Sequence, residues 1–307
     1  MGEDGTSPGV WWLNVNNPTP KELRVICSAF GIHPLTMEDI GIQESREKIE
    51  LFPTYYFASF RSFKLSEQRE KTKYIPFDVY VVVFREGTIS FSYTPNSHAS
   101  NVRSRIAMLK EHGLISSDWI CYALIDDIVG TFFPELIRLE LSTATIEDQI
   151  YITRPSDHQD FLQQINTARK DVLSLLRLLS NKPDALRAFT KRTTNTTPIP
   201  PPKVSFSPTL TNSHHDLTSH LTTLMHSLTH VEKILSRART NALTRLTIEG
   251  IAQGTTMNRF LSRLNAVATV FLPLTVLCGL FGMNIMVPWK SAMTHGVEDV
   301  DLDACKW

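Results

Sequence analysis

Residues Ala266 to Trp289 carry no charged side chain, and this run limits what the chain can become more than any other feature. An α-helix rises about 1.5 Å per residue, so about 20 apolar residues cross a hydrocarbon layer of about 30 Å. The stretch therefore predicts a transmembrane helix over 266–289. A buried helix of a large soluble domain is the alternative, but soluble helices rarely stay uncharged for so long. Upstream, no proline falls between Pro208 and Pro273, so a single helix can enter the membrane from solution.

The hydrophobic pattern before the run supports this. Leu217, Leu221, Leu224, Leu228, Val231 and Leu235 recur in alternating steps of four and three, the seam of a coiled coil. Asn258, Leu261, Asn265, Ala268, Leu272, Thr275 and Gly279 continue such a stripe into the apolar run. With Asp216 as its cap, a helix from 216 to 285 would be about 105 Å long. Its seam needs partners, either the helices that precede it or further copies of the chain.

The first 113 residues alternate strand and helix signals and predict an α/β domain. Trp11 to Val15 reads as a strand. Thr19 followed by Pro20 starts a helix bearing Leu23, Ile26, Cys27 and Phe30 on one face. Thr36, with Asp39 three residues later, predicts a second helix cap. Strands follow within 48–63, then Phe77 to Phe84 and Thr88 to Tyr93 as a hairpin, then a helix from His98 to His112. Residues 114–190 predict a long helical hairpin, capped at Ser116 or Ser117 and interrupted at Pro134, with a second arm from Ser156 to Leu179. A short helix begins at Lys182. Residues 191–215, rich in Thr, Pro and Asn, predict a linker; 216–265 form the stalk helix, and 290–307 an acidic tail.

Charge narrows function. Thirty-one Lys and Arg balance thirty-one Asp and Glu, so no global field favours nucleic acid, and none is expected as a partner. The four cysteines form no C-x-x-C pair and suit a reducing compartment. Arg237, Arg239, Arg245, Arg259 and Arg263 precede the span, whereas Glu298, Asp299, Asp301 and Asp303 follow it. The positive side faces the cytosol, so the soluble bulk is expected there; plasma and vacuolar membranes are not distinguished. No glycine-rich phosphate loop or nucleophile elbow occurs, and the adjacent His214 and His215 fall in the linker, so an enzyme is not expected.

Gly282-Met283-Asn284, at the end of the predicted span, resembles the signature of the CorA family of magnesium channels. The resemblance extends to Phe271-Leu272-Pro273-Leu274-Thr275, to Trp12 through Thr19, and to Phe30 through Asp39. Glu44 through Phe52 is similar to the fungal branch in particular. It implies a cytosolic α/β domain, a helical hairpin, and a stalk helix continuing into a transmembrane helix. It also implies a homopentamer that passes Mg²⁺ as cargo, with no cofactor. On this sequence the implied selectivity filter is Gly282, Met283 and Asn284, with Asn284 meeting the metal through water. The implied pore-lining and gating positions are Asn258, Leu261, Leu264, Leu272, Thr275 and Gly279. Two departures stand out. The family's second membrane helix has no counterpart before Trp307, which marks the sequence as a fragment or shortened product that does not conduct alone. The acidic stalk residue used by bacterial members for sensing has no clear match, Glu249 being a candidate. The rival reading is a tail-anchored coiled-coil scaffold or a non-conducting subunit.

Overall fold

The computed structural model describes residues 10–68, 71–109, 115–152, 158–187 and 208–282. They form β1 (Trp11–Asn16), α1 (Pro20–Ala29), α2 (Pro34–Gly41), β2 (Lys48–Leu51), β3 (Tyr55–Gln68), β4 (Lys71–Phe84), β5 (Gly87–Ser92) and α3 (His98–Leu109). After these come α4 (Ser117–Gly130), α5 (Phe132–Ile152), α6 (His158–Leu179), a short helix α7 over 182–187, and α8 (Pro208–Gly282). The chain divides into two compact units, Met1–Ala242 and Leu243–Trp307.

In the first unit a five-stranded sheet has the order β1-β5-β4-β3-β2. The β1–β5 pair is parallel and the others are antiparallel. Side chains alternate across a strand, so β3 sends Tyr55 and Phe57 to one face and Tyr56, Ala58 and Phe60 to the other. The first set joins Leu23, Cys27, Ile32 and Ile40 of the α1–α2 segment. The second joins α4, α5, α6 and α8 in one continuous core. A sheet covered on both faces is apolar on both, which is why 55–60 is apolar at every position but Ser59, itself buried.

Local signals set several boundaries. Thr19 and Glu22 form a reciprocal capping box at α1. The cap expected at Thr36 is instead His33, whose Nδ1 accepts from the Leu35 N–H at 3.2 Å. Pro34 supplies the first helical position, and Thr36 lies inside α2, wholly buried, with its hydroxyl 2.9 Å from Tyr55 Oη. The proline beside His33 thus outweighs the later threonine. β4 begins at Lys71 rather than Phe77. Pro76 is tolerated because β5 pairs only with Val79–Val83, leaving β4 paired with β3 alone at that point. The interruption expected at Pro134 falls between Gly130 and Phe132, with Pro134 in the first turn of α5.

α8 begins before Asp216. The expected cap therefore lies inside the helix, and residues 208–215 of the expected linker are helical; 191–207 lie outside the described residues. Leu217, Leu221, Leu224, Leu228, Val231 and Leu235 are each at most 2% exposed and share a core with Phe161, Ile165, Val172 and Leu175 of α6. The hairpin of the same chain is the partner that this seam required. Arg169 on α6 reinforces the contact, donating from Nε (3.0 Å) and Nη2 (2.8 Å) to Glu232 Oε1 on α8.

Candidate functional site

Burial along α8 stops at Ala242, and every residue from 251 to 280 is exposed. α8 is the one helix among the described residues long and apolar enough to cross a membrane. Its most apolar 18-residue window has mean hydropathy 1.6, and none of that window is buried. A bare surface of Phe260, Leu264, Val267, Val270, Phe271, Leu274 and Leu277 marks a membrane or protein contact. Over 251–282 the only charges are Arg259 and Arg263, near the start of the apolar run.

The expected pore positions all lie on this bare part of α8. Asn258, Leu261, Leu272, Thr275 and Gly279 follow one stripe at steps that are sums of three and four, and Leu264 lies beside it. In a single chain they form a line along one helix and do not enclose a site. Gly282 is the last helical residue; Met283 and Asn284 lie outside the described residues, as does the expected acidic tail at 290–307.

Pro273 sits inside α8 without ending it. It has no N–H for the carbonyl four residues earlier, that of Thr269, which needs another donor within hydrocarbon. The Thr275 hydroxyl donates to the Leu272 carbonyl at 2.8 Å and the Phe271 carbonyl at 3.1 Å. A hydroxyl that bonds back to its own helix can enter an apolar layer and still present lone pairs outward.

Reactive side chains elsewhere are engaged in structure. Ser62, His98 and Asp127 are linked in the order of a hydrolase triad, with Ser62 Oγ to His98 Nε2 at 2.8 Å and His98 Nδ1 to Asp127 Oδ2 at 2.7 Å. Ser62 is wholly buried, however, and Asn101 also donates to Asp127. The group fastens α3 and α4 to β3, and no substrate reaches the hydroxyl. Burial pushes the Cys27 thiol up to about 11 and the Cys121 thiol up to about 12, which makes both poor nucleophiles. No group of three or more metal-ligating side chains occurs among the described residues.

The description "CorA-like Mg2+ transporter protein" matches residues 7–296, nearly the whole chain. The chain belongs to that family. Within this CorA-like family it is similar to a Schizosaccharomyces pombe protein, C27B12.12c, at 41% identity over 285 residues, covering 92% of this chain and 34% of the relative. It is also similar to "Magnesium transporter ALR2" of Saccharomyces cerevisiae, at 36% identity over 318 residues, covering 92% of this chain and 37% of the relative. The chain thus spans about a third of the length of these relatives. Among solved structures, that of the CorA magnesium transporter of Methanocaldococcus jannaschii superposes with a TM-score of 0.63 at 15% identity. The match covers 91% of this chain and 82% of that one. At that identity it shows a shared fold: sheet domain, helical body and long last helix. CorA-like membership and the bare apolar end of α8 together place the chain at a membrane.

The ionic contacts that close the body have no counterpart among the residues predicted from sequence. Lys182, wholly buried on α7, donates to Glu47, to the Arg61 carbonyl and to the Leu178 carbonyl. Only the fold brings positions 47 and 182 together, so no local signal announces them.

Proposed function

We propose that the chain is part of a channel-like homopentamer that passes hydrated Mg²⁺ across a membrane. The observation that supports this most is the change along α8: buried by its own chain up to Ala242, bare from 251 to 280. A helix with polar and small positions at Asn258, Thr275 and Gly279, among the leucines 261, 264 and 272, suits a ring of copies around an axis. The leucines then form constrictions that gate by dewetting, and the polar positions form wetted steps.

Mg²⁺ holds its water tightly. A ring of Asn284 carboxamide oxygens, with Gly282 carbonyls beside them and Met283 between, accepts hydrogen bonds from the water shell without stripping it. Carboxylates there would bind more tightly and slow release. The ion is cargo, and no cofactor is needed. A divalent ion crossing about 100 mV gains about 4.6 kcal/mol, sufficient to drive inward flow. Arg259 and Arg263, on the body side of the apolar run, orient the body towards the cytosol.

The full-length protein that bears this chain, expressed in cells lacking magnesium uptake, is expected to restore growth at low Mg²⁺. Asn284→Ala is expected to abolish rescue while the protein remains in the membrane. Equal rescue by that variant removes the filter assignment. Membrane insertion without any Mg²⁺ flux, in an assembly other than five copies, would favour a tail-anchored scaffold.

A further inference from the structure

Five histidines lie between 214 and 230, half of the ten in the chain. Those elsewhere with described contacts are occupied: His33 caps α2, and both ring nitrogens of His98 are used by Ser62 and Asp127. His226 and His230 differ. Both are exposed on α8, within the first compact unit, and neither has a hydrogen-bond or ion-pair partner among the described residues. They stand four residues apart, so their Cβ atoms are about 5–6 Å from one another on the same face. That face points away from the buried seam of Leu224, Leu228 and Val231.

We propose that His226 and His230 form a two-histidine site for a first-row transition-metal dication such as Zn²⁺, Ni²⁺ or Cu²⁺. Metal–imidazole bonds of about 2.0–2.1 Å let two rings at this spacing converge on one ion, as the paired histidines of helical zinc motifs do. Water fills the other positions. Thr222, one turn before His226 in the same row, donates its hydroxyl to the Thr218 carbonyl at 2.8 Å and keeps lone pairs for a metal-bound water. Lys233, exposed three residues after His230, is a flexible cation that must turn outward. Imidazole favours these borderline ions, whereas Mg²⁺ prefers oxygen and keeps its water. The site therefore separates transition metals from Mg²⁺, and it stands whether or not the chain conducts.

The test is titration of the full chain, purified in detergent without a polyhistidine tag, with Zn²⁺ or Ni²⁺ by calorimetry and with Cu²⁺ by electron paramagnetic resonance. His226→Gln and His230→Gln are each expected to weaken binding about tenfold, a change of about 1.4 kcal/mol. The double variant should lose the signal of coupled imidazole nitrogens. His220→Gln, on a different face, should bind as wild type, and millimolar Mg²⁺ should not displace the metal. Unchanged affinity in the double variant overturns the proposal. So does an equal loss in His220→Gln, or displacement by Mg²⁺.

Discussion

Glu47 and Lys182, 135 positions apart in sequence, form a buried ion pair whose side chains are 4% and 0% exposed. Glu47 Oε1 also accepts the Arg61 N–H at 2.8 Å, and the Lys182 ammonium lies 5.5 Å from the centre of the Phe132 ring. Burial lowers the Lys182 pKa, and the charge of Glu47 opposes that shift. The pair ties the start of β2 to α7, and so one edge of the sheet to the helical body.

Breaking such a pair from one side strands a charge, at a cost of about 3–5 kcal/mol. Lys182→Met alone is expected to destabilise the body by that amount in denaturant unfolding. Glu47→Gln combined with Lys182→Met should cost much less than Lys182→Met alone, since the glutamine oxygen still serves the Arg61 N–H. A double variant as unstable as the single one would show that packing, rather than the stranded charge, sets the cost.

Gly87 lies under the indole of Trp11. A Cβ there would sit 2.0 Å from Trp11 Cε2, and the indole is held in turn by Phe30 at 5.2 Å and Phe84 at 6.2 Å between ring centres. Gly87→Ala must displace the ring from this cluster, and overpacking of this kind costs about 1–3 kcal/mol. A lower melting temperature with altered near-ultraviolet circular dichroism is expected; an unchanged aromatic signal would contradict it.

Two leucines on α8 should respond in opposite ways. Leu228 is 1% exposed against α6, so Leu228→Ala is expected to cost about 2–5 kcal/mol of body stability. Leu272 is 65% exposed, so Leu272→Ala should leave unfolding of the body within about 0.5 kcal/mol and change ion flux instead. Denaturant curves and flux assays on the same two variants separate the outcomes.

Asp118 predicts a pH dependence. Burial raises its pKa above the ordinary 3.8, although a hydrogen bond from Tyr56 Oη at 3.1 Å opposes the shift. With its pKa higher in the folded than in the unfolded chain, its contribution is fully present below the ordinary value and is lost as pH rises through the folded value. Asp118→Asn is therefore expected to compare better with wild type at pH 7 than near pH 4. Thermal unfolding of both at the two pH values measures it, and an advantage that grew towards acid would reverse the assignment.

Local chemistry made a good part of this fold legible. The capping box at Thr19, the four-and-three seam from Leu217 to Leu235, the break at the start of α5 and the uncharged run of α8 each follow from residues within a few turns of one another. The pattern placed a cap at Thr36, whereas the helix starts at His33-Pro34, and the Thr36 hydroxyl lies against Tyr55 of another element.

The sequence by itself determined that one long helix carries an apolar face through the body and then an uncharged surface beyond it, since periodicity and composition are properties of neighbouring residues. Tertiary structure alone decided which partner closes the seam of α8, that β1 joins β5 in parallel, and that Lys182 is sealed against Glu47. Those contacts join residues tens to more than a hundred positions apart. Their free energy comes from desolvation and packing that exist only once the chain has closed on itself.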